Sequence, residues 1–310
     1  MQLHKVIAGL VLAICAVALA PVGARAQVAA PVLNPTALLV TTENPAVLQW
    51  SAPSRVSLGW YGGRIESFNQ FGVQTYNADT PGWFVQGRAV GESLSVGLEH
   101  LGYDITPQGL PTTTVKETQA ALAGQLWGAV ALGVGLDDQT QDQPGTTWTF
   151  KKRLAGASVR LFEHLYLGAT SGTEQVSVTG APASNRAVTR YGVGWHVRGD
   201  SSGLHLEATH EKREAYESTP GSFFDQGTLD TVNLEVIFAN ILVGLGSRKG
   251  HVVHPTAGSG YDENRRVATL GWVPKSGLAI ALEHETWHRD FFNGFTQERP
   301  RDRVAVAWQF

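Results

Sequence analysis

The last eight residues of the chain, Arg303-Val304-Ala305-Val306-Ala307-Trp308-Gln309-Phe310, decide the fold. Side chains of a strand alternate between its two faces, so Val304, Val306, Trp308 and Phe310 share one face. Small or polar residues occupy the other face. The chain then ends on an aromatic residue, whereas most domains end in a few polar, poorly ordered residues. The sequence therefore predicts that the terminus is itself a strand of the fold.

This closing strand resembles the last strand of bacterial outer-membrane β-barrels. In those proteins the barrel assembly machinery reads the terminal aromatic residue, so the resemblance implies that Trp308 and Phe310 form an assembly signal. A strand of a soluble β-sandwich would show the same alternation with its faces reversed. The other end of the chain favours the barrel.

Residues 1–26 have the composition of an export signal. His4 and Lys5 form a basic start, residues 6–20 are apolar, and Ala24-Arg25-Ala26 matches a cleavage site before Gln27. The apolar run is shorter than the roughly 18 residues that a membrane-spanning helix needs. We therefore expect a leader that is cleaved after Ala26, and a location in the outer membrane of a Gram-negative bacterium.

Composition is consistent with an exported barrel. The chain has 35 glycines and 9 tryptophans, and its mean hydropathy is -0.09, as expected when only alternate residues face lipid. The single cysteine, Cys15, lies inside the predicted leader, so the mature chain would have no disulfide. A net charge of -3 without a long basic run predicts no nucleic-acid partner.

Short and long connections take turns along residues 54–310, which is typical of an up-and-down barrel. We predict an all-β fold, a transmembrane antiparallel up-and-down β-barrel of about 14 strands. Residues 66–80 and 290–302 are predicted as long loops. The predicted strands are 54–64, 82–90, 93–103, 114–124, 128–137, 147–162, 165–172, 187–198, 204–212, 229–238, 241–249, 265–273, 278–289 and 302–310.

Charged residues alternate with apolar ones along these strands, as Leu94, Val96 and Leu98 do with Glu99. An Arg or Lys on the lipid face near the membrane midplane costs about 2–4 kcal/mol, so the polar set is expected to face the lumen. Its mixed signs predict paired wall residues or a weakly selective channel. The predicted lumen-facing residues are Glu99, Glu117, Arg190, His196, Arg198, His205, Glu207, Glu235, Arg248, Glu283 and Arg303.

No catalytic or metal site is expected. His284-Glu285-Thr286-Trp287-His288 matches the H-E-x-x-H pattern of zinc hydrolases, which requires a helix. Here the pattern continues a strand, which places the two histidines about 13 Å apart, too far for one metal ion. His251 and His254 are interpreted as exposed loop histidines. No glycine-rich phosphate cradle follows a strand, so no cofactor is expected.

Residues 42–48 contain Asn44-Pro45-Ala46 and precede the first predicted strand, which begins with Ser54-Arg55-Val56. This region resembles the N-terminal region of the FadL-type long-chain fatty-acid transporters. The resemblance implies a hatch, carrying the Asn-Pro-Ala element, that plugs a barrel of about fourteen strands through which hydrophobic molecules pass. On this basis residues 1–26 are the signal peptide, 27–53 the plug segment and 54–310 the barrel.

Two alternatives to passive uptake of hydrophobic small molecules remain open at this stage. One is a monomeric porin of fourteen strands for small polar solutes, which needs an open lumen. The other is a barrel that serves as a scaffold in an outer-membrane complex, which needs a filled lumen without an apolar pocket. The expected partners are outer-membrane lipid, the barrel assembly machinery and a hydrophobic ligand. The oligomeric state stays open.

Overall fold

The computed structural model describes residues 44–51, 54–216, 226–253 and 260–310. The predicted leader, His254 and most of the predicted plug segment lie outside these residues. No helix in the described part of the chain is long and apolar enough to cross a membrane. The elements are a 3₁₀ helix, Pro45–Trp50, and the strand segments β1 Arg55–Phe68, β2 Gln74–Asp79, β3 Gly82–Val90, β4 Leu94–Pro107, β5 Thr113–Leu126, β6 Val130–Gln143, β7 Thr146–Leu161, β8 Leu165–Val178, β9 Ser184–Arg198, β10 Gly203–Arg213, β11 Gln226–Phe238, β12 Ile241–Val253, β13 Gly260–Trp272, β14 Gly277–Phe291, β15 Thr296–Glu298 and β16 Arg301–Gln309.

Each strand pairs antiparallel with its neighbour in the chain, and β1 pairs with β16, which closes the barrel. Segments β2 and β3 are two parts of one wall strand, and so are β15 and β16. Pro81 and Pro300 interrupt these two strands, because proline has no N–H to donate to the ladder. The result is a closed barrel of fourteen strands, which confirms the predicted fold class and strand number.

The predicted strand ends at one end of the barrel are wrong. There β8 continues to Val178 and β12 to Val253, beyond the predicted ends at 172 and 249. Segments β2 and β15 lie inside the stretches that were predicted as long loops. The backbone ladder continues where the outward side chains have become polar, so the alternation that marks a half-apolar strand is lost before the strand ends.

The two faces of the wall differ as the alternation predicts. On β1, Val56, Leu58 and Trp60 are exposed, whereas Arg55 and Ser57 are buried. Arg55 interacts electrostatically with Glu235 of β11, which is far from β1 in the strand order of the wall. The buried face therefore lines the lumen, and the exposed apolar face lies outside, where it meets lipid.

Tight turns connect the strands at the end of the barrel that holds Ser54 and Phe310, here named the terminal end. Ala239 and Asn240 have φ values of 48° and 66°, the positive pair that a two-residue hairpin turn needs. A hydrogen bond of 2.6 Å from Lys275 to Asp200 joins two of these turns and lowers the pKa of the Asp200 carboxyl. The opposite end is named the loop end.

The seam that closes the barrel leaves no room for a side chain at Gly59. A Cβ there would lie 2.3 Å from the Phe84 ring and 2.6 Å from the carbonyl oxygen of Val304. We predict that Gly59→Val destabilises the barrel by about 1–3 kcal/mol, because the added atoms overpack the seam. The measurement is a urea titration of the folded fraction, read as heat-modifiable mobility on a gel.

Gly62→Val is the matched control. Gly62 lies on the exposed face of the same strand, with nothing within 4 Å of its Cβ position, and valine suits a strand. Equal urea midpoints for the two variants would contradict the predicted overpacking at Gly59.

Candidate functional site

The short helix Pro45–Trp50 is specified by Asn44, which precedes it, and by its first residue, Pro45. The Asn44 side chain caps it by accepting a hydrogen bond of 3.1 Å from the Ala46 amide, as expected of an N-cap asparagine. Pro45 follows at the first helical position, where its missing N–H costs nothing. Ser51 closes the other end by donating its hydroxyl to the carbonyl of Val47 at 2.9 Å.

The helix lies against the lumen face of β5, β6 and β7 in a niche formed by two glycines. A Cβ at Gly133 would lie 2.5 Å from the Ala46 nitrogen, and one at Gly156 would lie 2.0 Å from the Asn44 side-chain oxygen. Asn44 also donates its amide to the carbonyl of Ala157 at 3.0 Å. Glycine permits this close approach of two backbones, so Asn44-Pro45-Ala46 fits directly against the wall.

The last two residues of the helix are bound at the terminal end of the lumen. Gln49 donates its amide to the turn carbonyls of Gly91 and Glu92 at 2.8 and 3.1 Å. It also accepts a hydrogen bond of 3.0 Å from Ser95. Trp50 donates to Ser158 at 3.1 Å. The helix is therefore attached to the wall at both of its ends.

Beyond the helix, a belt of ion pairs covers the lumen face from β7 to β16. Most of its carboxylates are shared by at least two cations, and Arg303 in turn binds both Glu283 at 2.8 Å and Glu285 at 3.1 Å. Arg190 similarly binds Glu211 at 2.6 Å. The remaining pairs join Glu174 to Lys152, Arg186 and Arg190, Glu211 to Arg213 and Arg248, Glu263 to Arg248 and Arg289, and Glu285 to Arg265. We name this surface the charged wall.

The opposite part of the lumen face carries a cluster of buried apolar residues beside inward charges such as Glu99 and Glu117. Its members are buried residues of β1 to β5 together with Ala305 of the closing strand, and we name this surface the apolar wall. Leu48 of the helix packs on Ala121 and Ala123 of β5, nearer to the terminal end than the apolar wall. The apolar wall consists of Tyr61, Ile65, Tyr76, Ala78, Phe84, Leu101, Tyr103, Ile105, Val115 and Ala305.

Solved structures share this architecture, although comparison of sequences finds no matching family and no matching curated protein. No protein-family model matches the chain, and a search of curated proteins returns no match. A FadL homologue of Pseudomonas aeruginosa aligns at 9% identity with a TM-score of 0.56, over 93% of this chain and 100% of that one. The toluene transporter TbuX of Ralstonia pickettii aligns at 10% identity with a TM-score of 0.58, over 92% and 95%.

The toluene transporter TodX of P. putida also aligns, at 10% identity with a TM-score of 0.50, over 86% of this chain and 92% of that one. The chain has the FadL-type barrel fold. The predicted resemblance is confirmed at the level of the fold, and the identities are too low to transfer a substrate.

In this FadL-type barrel, all of the predicted lumen residues lie at positions on the inward face. Glu99, Glu235 and His205 are among the most buried, while Arg198 is half-buried and donates to the carbonyl of Val273 at 2.9 Å. They are divided between distant parts of the wall. The other predicted lumen residues are Glu117, Arg190, His196, Glu207, Arg248, Glu283 and Arg303.

The sequence-based prediction of lumen residues omits several inward charges, among them Glu174, Glu211, Glu263, Glu285 and Arg289. They lie near the loop end, where outward residues are polar too, so hydrophobic alternation gives no face. A simpler signal was present. Glu211 lies an even number of residues after the predicted Glu207 and therefore on the same face of the strand. If this alternation is continued past the apolar part of each strand, it assigns the missed residues to the lumen.

The H-E-x-x-H segment lies on β14, as predicted. His284 and His288 point outward, where His284 is 2.8 Å from Asp302 and His288 is 2.9 Å from Asp290. Glu285 points into the lumen. Across the residues that the structure describes, no group of three or more histidine, cysteine or acidic side chains could hold a metal ion.

Filling the glycine niche should release the helix from the wall. Val47 is fully buried, so a cysteine there, in a Cys15→Ser background, is expected to react slowly with a maleimide. We predict that adding Gly156→Val raises the labelling rate of Val47→Cys about tenfold or more, because the new side chain occupies the space of the Asn44 amide.

Gly87→Val is the control, since nothing lies within 4 Å of a Cβ at Gly87 on the outward face of β3. Equal labelling rates in the Gly87→Val and Gly156→Val backgrounds would show that the niche does not hold the helix.

Proposed function

We propose that the protein is an outer-membrane channel for the passive uptake of small hydrophobic molecules, with the segment around Asn44-Pro45-Ala46 as its plug. The observation that carries the proposal is the apolar wall. It lines one side of the lumen, and the helix residue Leu48 packs on the alanines of β5 in the same part of the barrel. A hydrophobic molecule could follow this surface while water and ions remain on the charged wall.

The plug is supported by the position of the helix. A fourteen-stranded lumen is too wide for wall side chains alone to fill, because eight strands already leave room for a small ligand. The helix occupies the terminal end of this lumen, with hydrogen bonds to a turn and to the wall. Its hydrogen bonds to the wall lie outside the barrel ladder, so a helix that moves or reorients would open a path without disturbing that ladder.

The fold neighbours agree with a transport role and include two proteins described as toluene transporters. The charged wall favours a second candidate, a porin for small polar solutes, because paired charges line water-filled channels. Against it, many of the charges of that wall are paired with one another and neutralise each other, which leaves few of them to attract a solute. The uptake experiment below separates the two candidates.

Polarity placed on the apolar wall should slow the uptake of a hydrophobic probe. Leu101 is 1% exposed on this wall. We predict that Leu101→Gln reduces the uptake of radiolabelled toluene by expressing cells at least fivefold, to near the rate of cells without the protein, because an amide lacking partners is costly in an apolar path (about 1–3 kcal/mol). The measurement is initial uptake, normalised to heat-modifiable protein.

Thr231→Gln is the matched control, since Thr231 is a buried inward residue on the opposite side of the lumen. Planar-bilayer conductance of the intact protein and of a variant lacking residues 27–50 completes the test. Low conductance that rises on truncation fits the plug. A large conductance unchanged by truncation, with toluene uptake equal in both glutamine variants, would replace the proposal by the porin.

We also propose that the mature chain begins at Gln27, because Ala24-Arg25-Ala26 precedes it. N-terminal sequencing of the protein from the outer-membrane fraction should give Gln27 as its first residue. Residues 1–26 retained on that protein, or protein confined to the cytosol, would contradict the proposed export.

A further inference from the structure

Two buried arginines lie on the lumen face where the charged wall meets the apolar wall. Arg299 follows β15 and Arg301 begins β16, and each is 2% exposed. Arg299 interacts with the Tyr103 hydroxyl, and its Cζ atom lies 5.6 Å from the centre of the Trp287 ring. The Cζ atom of Arg301 lies 5.1 Å from the centre of the Tyr61 ring. Because both tyrosines belong to the apolar wall, the two guanidiniums border that wall.

Arg301 differs from the arginines of the charged wall because it has no carboxylate partner in the described part of the chain. Its Nε and Nη2 atoms are buried and make no hydrogen bond there. Glu285, the carboxylate opposite it on β14, binds Arg265 and Arg303 instead. A guanidinium stays charged at physiological pH, and burying it without a partner is costly. Arg301 is therefore placed to bind an anionic acceptor.

The charge around Arg301 remains positive when the neighbouring inward groups are counted. From β13 to β16 the described inward face carries five arginines and three glutamates. Arg55 of β1 and Arg88 of β3 add two cations, and Glu99 of β4 and Glu117 of β5 offset them. This part of the lumen wall therefore has an excess of positive charge. The groups from β13 to β16 are Glu263, Arg265, Glu283, Glu285, Arg289, Arg299, Arg301 and Arg303.

A second buried polar group lies beside Arg301. The Thr80 hydroxyl is fully buried and makes no hydrogen bond with any residue that the structure describes. A Cβ at Gly63 would lie 3.1 Å from the Thr80 hydroxyl oxygen and 3.3 Å from the Cα of Arg301. The two residues therefore flank the same glycine of β1. An anion above Gly63 would accept hydrogen bonds from both side chains.

The apolar surface next to these two donors is rich in aromatic rings. Four of the ten members of the apolar wall are tyrosine or phenylalanine. Tyr61 and Tyr103 meet edge to face, with their ring centres 5.7 Å apart. Ile65 lies two residues after Gly63 on the same inward face of β1. Since aromatic rings favour such edge-to-face and offset contacts, this surface suits a flat ring better than an acyl chain.

We propose that the lumen binds an aromatic monocarboxylate at this position. Its carboxylate accepts hydrogen bonds from Arg301 and Thr80, and its ring lies on Tyr61 and Ile65 of the apolar wall. A carboxylate matches the planar fork of a guanidinium. As a site for a transported solute it rests on the proposed uptake function, because it makes an aromatic acid one of the molecules that follow the apolar wall.

The test uses the intact barrel, purified in detergent, with para-methylbenzoate as the probe and isothermal titration calorimetry as the readout. The matched neutral probe is para-methylbenzamide, which has the same ring and methyl group without the charge. We expect the unmodified protein to bind the acid at least about tenfold more tightly than the amide, because hydrogen bonds between ionised groups are stronger than those of a neutral acceptor.

Removing the guanidinium should remove this preference. Arg301→Gln is expected to bind the acid about tenfold more weakly, with little change in its affinity for the amide. Arg186→Gln is the matched control, since Arg186 is an inward arginine of β9, across the lumen from β1. Its partner Glu174 keeps an ion pair with Lys152. All variants are first checked for heat-modifiable folding.

A second variant tests the hydroxyl without changing charge. Thr80→Val keeps the shape of the side chain and should weaken binding of the acid about threefold, because one hydrogen bond is lost. Thr170→Val is its control, since Thr170 is a buried inward threonine of β8 on the far side of the lumen, and it should leave the affinity unchanged.

The site would be overturned by equal binding of acid and amide to the unmodified protein, a result that needs no variant. An unchanged preference in Arg301→Gln, or equal losses in Arg301→Gln and Arg186→Gln, would also overturn it. Octanoate, a carboxylate with an acyl chain, tests the ring. Octanoate bound as tightly as para-methylbenzoate would overturn the assignment to an aromatic acid.

Failure of this site and failure of the proposed channel give different results. Binding in detergent needs no transport, so a preference for the acid that depends on Arg301, together with no toluene uptake by expressing cells, would contradict the channel and support the site. Toluene uptake through the unmodified protein without that preference would contradict the site and leave the channel in place.

Discussion

Every backbone N–H and C=O of the wall must find a partner within the wall, since the hydrocarbon core of a membrane offers none. The pairing of β1 with β16 meets this constraint. Arg55 lies opposite Gln309, the pairing continues to Gly63 opposite Arg301, and the Phe310 amide donates to Ser54 at 3.1 Å. An open barrel would expose two strand edges to lipid. The exposed Phe310 at the end of the chain and the closely packed Gly59 both lie at this seam.

Closure of the wall also fixes where charge can be placed. Because alternate residues face lipid, the other half of each strand must carry the polar groups, which point into the lumen. Within the lumen, most of the ion pairs lie on one part of the wall. Carboxylates and guanidiniums of β7 to β16 neutralise one another along the charged wall, as Glu211 does with Arg190 and Arg213. The apolar wall lies on β1 to β5 beside a few inward charges such as Glu99 and Glu117. Two unlike surfaces inside one lumen fit the proposed channel for hydrophobic molecules.

Glycine positions connect the wall to the plug. Gly133 and Gly156 lie in the middle of long strands, where glycine weakens a sheet because it gives up packing and conformational freedom. Gly133 faces the backbone of Pro45 and Ala46, and Gly156 faces the Asn44 side chain, both at distances that exclude a Cβ. The two glycines lower the local stability of their strands. Because they leave space at the wall, the capped helix fits within hydrogen-bonding distance of Ala157.

The sequence alone determined the fold class, the strand number and the face of each predicted strand, because period-two alternation and the terminal Phe310 are local signals that lipid imposes on every strand. It also gave Asn44-Pro45-Ala46 as a distinct element. Only the tertiary structure decided which inward charges meet, since Glu174 and Arg190, or Glu285 and Arg303, are brought together by barrel register and not by spacing in the chain. The same holds for the niche. Gly156 faces Asn44 across 112 positions of sequence, so only the folded wall brings the two together.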